Sequence, residues 1–293
     1  MKRLLLAAAF AALAAAPALA AGQPRAAWWM ENDYSFGSNG LKKDSITVYR
    51  KASAAFTTGL NLSFYKDTGA YEESVYSLRL PLMYSRAGYF VSFKPFLYPV
   101  SAYTRSGAYG GKLYFLTSIG EEQDDTYTHL ILSGAWAQQK AFLSEGGVLA
   151  RKTFSQAAVE AQVEKSFYNQ FFFLASAAGF NEPGNGAANS TLVKPVLDQA
   201  DLAYLGTFRP VTALPEWSLS AQIARSMRPD YDSHIYAGYS KISFRRAQKA
   251  GSFITGLKLN LNEKSTLDLA YNAFKAEGDA PKSYYRLLLQ LFF

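Results

Sequence analysis

Acid–base chemistry near neutral pH has few candidate residues in this sequence. The chain contains two histidines, His129 and His234, and no cysteine. Imidazole is the side chain whose ordinary pKa lies closest to neutrality, so a general base would be one of these histidines or a carboxylate with a shifted pKa. The sequence has no Gly-rich phosphate loop, G-x-S-x-G elbow or H-E-x-x-H zinc motif. The sequence therefore gives no motif that would assign it to one of these common classes of soluble enzyme.

One group of polar residues would meet if two predicted strands pair. Asn32 and Asp33 lie at the outer end of the first predicted strand, and Thr57 faces inward on the second. A hairpin between these strands would bring the three side chains together. His129 comes later, after the acidic stretch 121–125. An Asn-Asp pair at a strand end is also a common turn signal, so the chemical interpretation has a structural alternative.

The elements that hold these residues are predicted from the alternation of apolar side chains, which is clearest in the last stretch of the chain. Tyr285, Leu287, Leu289 and Leu291 share one face of a strand, and Phe293 follows them. A terminal aromatic residue after such a run resembles the assembly signal of bacterial outer-membrane barrels, which implies the barrel-assembly machinery as a partner. An edge strand of a soluble sandwich is the alternative. A barrel is favoured because a closed sheet satisfies every backbone group inside a bilayer.

Similar runs recur along the whole chain, separated by turn residues every eight to fifteen positions or so. They predict an all-β fold, a transmembrane antiparallel up-and-down β-barrel of 12 strands, with 14 as the alternative, spanning residues 21–293 as one domain. We assign a strand to residues 199–210 and leave residues 181–198 as a loop. Residues 37–44 are read as a loop, and residues 141–153 as a loose connection.

The composition is consistent with an exported outer-membrane protein. Lys2 and Arg3, an apolar run over residues 4–16 and Ala18-Leu19-Ala20 predict a cleaved signal peptide at residues 1–20. Aromatic residues make up 15% of the chain, enough for girdles at both membrane interfaces. The formal net charge of +7 suits contact with outer-membrane lipid and the phosphates of lipopolysaccharide. No cluster typical of a nucleic-acid-binding module is present, and we expect a monomer.

Three short segments carry a resemblance to a known family. They are Glu31-Asn32-Asp33-Tyr34, the stretch Phe56-Thr57-Thr58-Gly59, and Gln123 with His129 followed by Gly134-Ala135-Trp136-Ala137-Gln138. Together they resemble the outer-membrane lipid A 3′-O-deacylases. The resemblance implies Ca²⁺-dependent hydrolysis of an acyl ester of lipopolysaccharide.

The resemblance also implies roles for individual residues. His129, Asp33 and Thr57 would form the catalytic group, with His129 as the base that activates water and Thr57 shaping the site. Asn32 and Asp33 would hold Ca²⁺, which prefers oxygen ligands. Lys94, inward on its strand, is the candidate for substrate binding. An enzyme of this kind requires His129 within a few ångströms of the Asn32–Asp33 pair.

Two further functions remain open. In a passive porin or diffusion channel, charged residues along the lumen would tune ion preference. The candidates for this role are Lys94, Lys112, Glu160, Glu164, Arg225, Lys258 and Asp268. The third possibility is a structural or adhesive barrel without turnover. A channel predicts dispersed charges and an open lumen, whereas an enzyme predicts a convergent site.

Overall fold

A computed structural model describes residues 27–67, 74–101, 105–119, 126–168, 170–184, 187, 190–193, 195–227 and 233–293. The predicted signal peptide lies outside these residues. The strands are β1 Trp28–Gly37, β2 Leu41–Lys51, β3 Phe56–Lys66, β4 Val75–Arg79, β5 Leu82–Arg86, β6 Tyr89–Tyr98, β7 Gly107–Ser118, β8 Tyr127–Glu145, β9 Val148–Phe167, β10 Phe171–Phe180, β11 Thr191–Val193, β12 Pro215–Ser226, β13 His234–Phe244, β14 Ala250–Asn262, β15 Ser265–Ala276 and β16 Lys282–Phe292. The helices among these described residues are two short 3₁₀ turns, Ser38–Gly40 and Gln199–Asp201. Neither is long and apolar enough to cross a membrane.

Within the described residues, fourteen strands form a closed antiparallel barrel. Here β4 and β5 are two halves of one strand, interrupted at Leu80 and Pro81. The short β11 pairs with the end of β8 that extends beyond the partner of Gly107, the first residue of β7. The ring closes because β1 pairs with β16 while β8 pairs with β9. A closed ring leaves no open sheet edge in the bilayer.

The predicted number of 12 strands is wrong, and the alternative of 14 is confirmed. The strand that the sequence analysis missed is β2, which begins at Leu41 inside the segment read as a loop. Asn39 and Gly40 adopt left-handed backbone angles, with φ of 61° and 62°, so the chain reverses tightly there. Charged Lys42 and Asp44 on the outward face hide the alternation at this end of β2. Thr57 therefore lies on the third strand.

Two other segments differ from the prediction. Residues 141–153 are not a loose connection, because β8 and β9 continue through them and meet at a turn of Gly146 and Gly147. Residues 199–210 are not a strand. They belong to residues 195–214, which fold into the barrel between β10 and β12 and are called the lumen segment below.

The two faces of the wall follow the predicted alternation. In β16, Tyr285 and Leu287 are exposed outward, whereas Tyr284 and Gln290 are buried inside. The inward face is mostly polar near the middle of the wall. Near the end where β1 starts and β16 stops, it carries an apolar cluster of Trp29, Tyr49, Met83, Phe90, Leu116 and Ile131.

The two rims of the barrel differ in their connections. We call the rim where β1 begins and β16 ends the terminal rim. The longest connection, residues 181–214, leaves from the opposite rim. Barrels of this class have short periplasmic turns and longer extracellular loops, so we assign the opposite rim to the extracellular side.

Candidate functional site

The residues predicted to bind a metal point to opposite faces of β1. Asn32 faces outward and donates a hydrogen bond from Nδ2 to Oδ1 of Asp44, at 2.8 Å. Asp33 faces inward, where its Oδ1 lies 3.6 Å from Nε of Arg286. Adjacent residues of a strand always alternate in this way, so the two side chains cannot ligate the same ion. The residues present do not fit the Ca²⁺ site that the resemblance implies.

The predicted catalytic residues are not brought together either. Thr57 faces inward at the start of β3 and pairs with Lys51 of β2 rather than with β1. His129 lies on β8, six strands around the ring from β1, which is nearly the far wall of a fourteen-stranded barrel. Within the part of the chain that the structure describes, no three His, Cys, Asp or Glu side chains converge to hold a metal ion.

His129 is buried among residues of β7, β8 and β9. Its ring is fully buried and stacks on Tyr127, with ring centroids 4.5 Å apart. In the sheet it pairs with Ser118 of β7 and Glu164 of β9. Neither ring nitrogen has a hydrogen-bond partner among the described residues. His129 is therefore an inward wall residue near the terminal rim, away from the residues assigned to act with it.

The lumen segment is the feature that brings polar groups together inside the barrel. The two arms of the segment are joined near its base, where the backbone N–H of Gln199 donates a hydrogen bond to the carbonyl of Val211, at 2.7 Å. The carboxylate of Asp198 caps the short helical turn by accepting from the N–H of Ala200, and it also accepts from the N–H of Val211. Apolar side chains of the segment are buried in the barrel: Val196, Leu197, Leu202, Leu205 and Phe208.

The strongest contact between the lumen segment and the wall is made by Asp201. Its carboxylate accepts two hydrogen bonds from the guanidinium of Arg79, at 2.9 and 2.8 Å, and one from the hydroxyl of Tyr98 at 2.5 Å. Nζ of Lys94 lies 3.8 Å from the same carboxylate. Lys94 thus faces inward as predicted, and its partner is the lumen segment. A bidentate arginine–carboxylate pair fixes both distance and orientation.

The charge on Asp201 is stabilised by these neighbours. Burial alone would raise the pKa of the Asp201 carboxyl, but Arg79 and then Lys94 outweigh that effect and hold the pKa below its usual value. A lowered pKa keeps the carboxylate charged as the pH falls through the normal aspartate range. The contact with Arg79 is therefore present at neutral pH and is lost only in stronger acid.

A second ion pair joins the lumen segment to the same wall. Nζ of Lys43 on β2 lies 3.0 Å from Oδ2 of Asp198. Together with Arg79 on β4 and Lys94 on β6, it gives this side of the lumen three cationic groups that meet two carboxylates of the segment. The carboxylates of Asp198 and Asp201 therefore meet the cationic side chains of the wall on this side of the lumen.

On the other side, side chains of the wall hold the segment mainly through its backbone groups. The carbonyl of Gly206 accepts from Oγ of Ser252 on β14, at 2.5 Å. Oδ1 of Asn272 on β15 accepts from Thr207 Oγ1 at 3.0 Å and from the N–H of Phe208 at 3.2 Å. The guanidinium of Arg286 lies over the Phe208 ring, 5.3 Å from its centroid. These contacts satisfy backbone groups that would otherwise be buried without partners.

Two more contacts of the segment involve charged side chains. Nε of Arg209 donates to Oδ2 of Asp67, at 3.0 Å, just beyond the end of β3. Glu160 on β9 accepts from the N–H of Tyr204 at 3.3 Å, from Nζ of Lys112 at 2.9 Å and from Oγ of Ser133 at 3.1 Å. The segment is therefore anchored to strands on both sides of the ring.

The charges predicted to line the lumen are mostly in place. Lys94, Lys112, Glu160, Glu164, Lys258 and Asp268 lie at positions of the inward face. Arg225 is the exception, because it faces outward on β12 and lies over the ring of Phe171, 5.6 Å from its centroid. The open lumen that a channel predicts is not observed in the described residues, since the lumen segment occupies it.

Sequence reasoning missed the lumen segment because its apolar residues imitate a strand. Leu202, Tyr204 and Phe208 follow the spacing of a strand face, and this spacing led to the assignment of residues 199–210 as wall. The available signal was the pair Asp198 and Asp201, two carboxylates in a short stretch that would be placed on opposite faces of a strand. With Leu202, Tyr204 and Phe208 on the lipid side, Asp198 would share their outward face and lie in lipid, which is costly.

The buried pair Lys112–Glu160 gives a direct test of the wall interior. Lys112→Met is expected to reduce the free energy of unfolding by about 3–5 kcal/mol, because it leaves the buried carboxylate of Glu160 without its cation. Urea unfolding of the barrel in micelles measures the change. Lys152→Met is the control: its ion pair with Glu145 is exposed, with Nζ to Oε2 at 3.4 Å, and should contribute at most about 1 kcal/mol. Equal losses in both variants would contradict the described burial.

Solved structures share this architecture over most of the chain. The CymD monoaromatic hydrocarbon channel aligns at 9% identity with a TM-score of 0.53, covering 91% of this chain and 88% of that chain. The toluene transporter TodX of P. putida aligns at 9% identity with a TM-score of 0.51, covering 91% and 89%. A loop-deletion mutant of OmpT, an outer membrane protein of Vibrio cholerae, aligns at 10% identity with a TM-score of 0.44, covering 91% and 98%.

The two alignments with TM-scores above 0.5, to CymD and TodX, establish the fold and nothing finer. The chain has the fold of an outer-membrane β-barrel protein. No protein-family model and no curated protein sequence matches it. Its function therefore has to be argued from its own side chains.

Proposed function

We propose that this protein is an outer-membrane diffusion channel for small solutes, closed by its lumen segment. The observation that carries the proposal is the attachment of the segment through side-chain contacts, above all Asp201 with Arg79 and Tyr98. Residues 199–210 are not part of the barrel sheet, so they can leave the lumen without breaking a strand pairing. The wall would keep its fourteen strands while the path through it opens.

The charges at the attachment predict which solutes the open channel prefers. When the segment leaves, Asp198 and Asp201 leave with it. Lys43 on β2, Arg79 on β4 and Lys94 on β6 then face the open lumen from one side of the ring. A ring or patch of cationic side chains raises the local concentration of anions. We therefore expect the open channel to select small anions over cations.

The competing hypotheses have less support. The Ca²⁺-dependent deacylase stays a prediction from the resemblance, and its residues Asn32, Asp33, Thr57 and His129 lie on different faces or walls. A permanently closed structural barrel would share every contact described above. The difference between that barrel and a channel is whether the lumen conducts once the segment is removed.

Removing the segment tests the proposed function. Since the N–H of Gln199 and the carbonyl of Val211 are hydrogen-bonded at 2.7 Å, a Gly-Ser-Gly linker can replace residues 200–210 without straining the ends. In planar lipid bilayers we expect the conductance to rise about fivefold or more over the intact protein. Reversal potentials in a KCl gradient should show anion preference.

The control for this experiment is the folded state of the barrel. Heat-modifiable migration in gels should be the same for the intact protein and for the shortened variant. A shortened variant that is folded and still does not conduct would overturn the channel proposal and favour the structural barrel. The shortened variant keeps Asp198 beside Lys43 but lacks Asp201, so a cation-selective pore would contradict the role given to Arg79 and Lys94.

A further inference from the structure

The outer surface of the barrel carries a group of lysines on β13, β14 and β15. Lys241 on β13 and Lys275 on β15 flank Gly251 of β14, and all three residues are in register. Lys249 directly precedes β14 and is exposed like the other two lysines. These residues line a groove of about 610 Å³ together with Tyr239 and Phe253. We call it the lysine groove.

The floor of the groove depends on the missing side chain of Gly251. A Cβ at this position would lie 2.7 Å from the hydroxyl oxygen of Tyr239, so the tyrosine occupies the space that a side chain would fill. The phenol hydroxyl is thereby held between Lys241 and Lys275. Their strands, β13 and β15, are about 10 Å apart because β14 lies between them. The groove therefore offers a hydroxyl donor flanked by two ammonium groups.

The charge of the groove is not neutralised by the protein. Lys241, Lys249 and Lys275 make no ion pair among the residues that the structure describes. One acidic residue, Glu277, also lines the groove, which leaves an excess of positive charge. An uncompensated cationic groove is complementary to an anion.

The position of the groove along the wall matches the membrane surface. On β14 the outward residues run from Leu261 near the terminal rim to Phe253, eight residues away. At about 3.3 Å per residue and a strand tilt of about 40°, this run spans about 20 Å of membrane thickness. Gly251 lies two residues further, close to the boundary of an apolar band about 25 Å tall. The lysines therefore sit at headgroup level, on the extracellular side.

An apolar groove continues directly below the lysines. It has a volume of about 530 Å³ and is lined by Phe36, Thr255, Leu257, Leu269, Tyr271 and Tyr285. Thr255, Tyr271 and Tyr285 are in register across β14, β15 and β16. Such a surface suits acyl chains, because aromatic and aliphatic side chains exclude water beside the hydrocarbon. The headgroup site and the acyl surface thus share β14 and β15, and the acyl surface extends onto β16 and β1.

From this arrangement we infer that the lysine groove is a specific binding site for an outer-leaflet lipid whose headgroup carries phosphate. Lys241, Lys275 and the Tyr239 hydroxyl hold the phosphate, and the groove lined by Thr255 and Tyr271 receives the acyl chains. The general expectation of contact with lipopolysaccharide becomes a defined site on β13–β15. This site lies outside the lumen, so its test is independent of channel activity.

Native mass spectrometry of the folded, full-length protein in neutral detergent tests the site. The probes are bisphosphorylated lipid A and zwitterionic phosphatidylethanolamine, with inorganic phosphate as competitor. We expect the protein to retain lipid A, and Lys241→Gln/Lys275→Gln to weaken that binding about tenfold or more. Gly251→Val keeps the charge of the groove but displaces the Tyr239 hydroxyl, so it should also weaken lipid A binding. Phosphatidylethanolamine should bind more weakly than lipid A.

A matched control separates a specific site from general attraction to anions. Lys42 and Lys66 are also exposed, outward and in register on neighbouring strands near the same rim. Lys42→Gln/Lys66→Gln removes the same charge and should change lipid A binding less than about twofold. Equal losses in both double variants would overturn the site, as would unchanged binding in Lys241→Gln/Lys275→Gln. Complete displacement of lipid A by inorganic phosphate would reassign the groove to a free anion.

Discussion

Asp201→Asn is expected to open the barrel. The substitution keeps the size of the side chain but removes the charge that meets Arg79 and Lys94. Breaking a buried ion pair by removing one partner costs about 3–5 kcal/mol, because the other charge is left buried without compensation. With 1.4 kcal/mol for each factor of ten, the ratio of closed to open molecules should fall by a factor between about 10² and about 4 × 10³.

The remaining anchors limit this effect to the lumen segment. Asn272 and Ser252 still hold the backbone near Gly206, so the segment should lift from the β4–β6 side first. Single-channel recordings should show frequent openings in Asp201→Asn and few in the unmodified protein. Hydrogen exchange at the amides of residues 199–205 should be faster, while exchange in the strands stays unchanged.

The control for Asp201→Asn removes an equal charge elsewhere. Asp279 is exposed at the turn between β15 and β16, near the same rim. Asp279→Asn should leave both conductance and hydrogen exchange as they are. If Asp201→Asn stayed closed and exchanged slowly, the ion pair with Arg79 would not be what holds the segment.

Gly206→Ala is expected to displace the lumen segment from the other side. Gly206 has a left-handed backbone with φ of +61°, and a Cβ there would lie 1.8 Å from Oγ of Ser240 and 2.7 Å from its Cβ. Left-handed geometry costs a residue with a Cβ about 1–2 kcal/mol. The overlap with Ser240 adds about 1–3 kcal/mol, the usual cost of overpacking. Rotation of the Ser240 hydroxyl relieves the contact with Oγ but not the contact with Cβ, so the overlap favours movement of the segment away from β13.

A matched glycine and a compensating change isolate the overlap. Gly146 has a similar φ of +57°, but nothing lies within 4 Å of its added Cβ, so Gly146→Ala carries the backbone cost alone. Conductance should increase for Gly206→Ala and not for Gly146→Ala. Adding Ser240→Gly to Gly206→Ala removes the overlap but not the backbone cost, so conductance should fall back most of the way to that of the unmodified protein. If the double variant conducted like Gly206→Ala alone, contact with Ser240 would not be the cause.

The wall of the barrel was largely predictable from the sequence. Tyr285, Leu287 and Leu289 face outward as their alternation indicated, because a strand between lipid and lumen needs period-two polarity. The count failed where that polarity is weak. At the start of β2, Lys42 and Asp44 face outward near the rim, so the strand reads as a loop.

The interior was less predictable, because it depends on which distant residues meet. Lys94 was correctly placed inward, yet its partner Asp201 is more than one hundred positions later in the chain. Asn32 and Asp33 looked like a pair and were separated by the alternation of β1. Thr57 and His129 were separated from them by the missed strand and by the order of strands around the ring.

The sequence by itself determined the class of protein. Alternating strands, aromatic residues in abundance and an apolar last strand indicate a membrane barrel, since each is a local requirement of a lipid-facing sheet. The tertiary structure alone decided what fills that barrel. The lumen segment is held by Arg79, Asn272 and Glu160, which come from strands far apart in sequence. The alternation of residues within a strand shows which side faces lipid. Which segment fills the lumen depends instead on contacts between distant residues, and these form only when the ring closes.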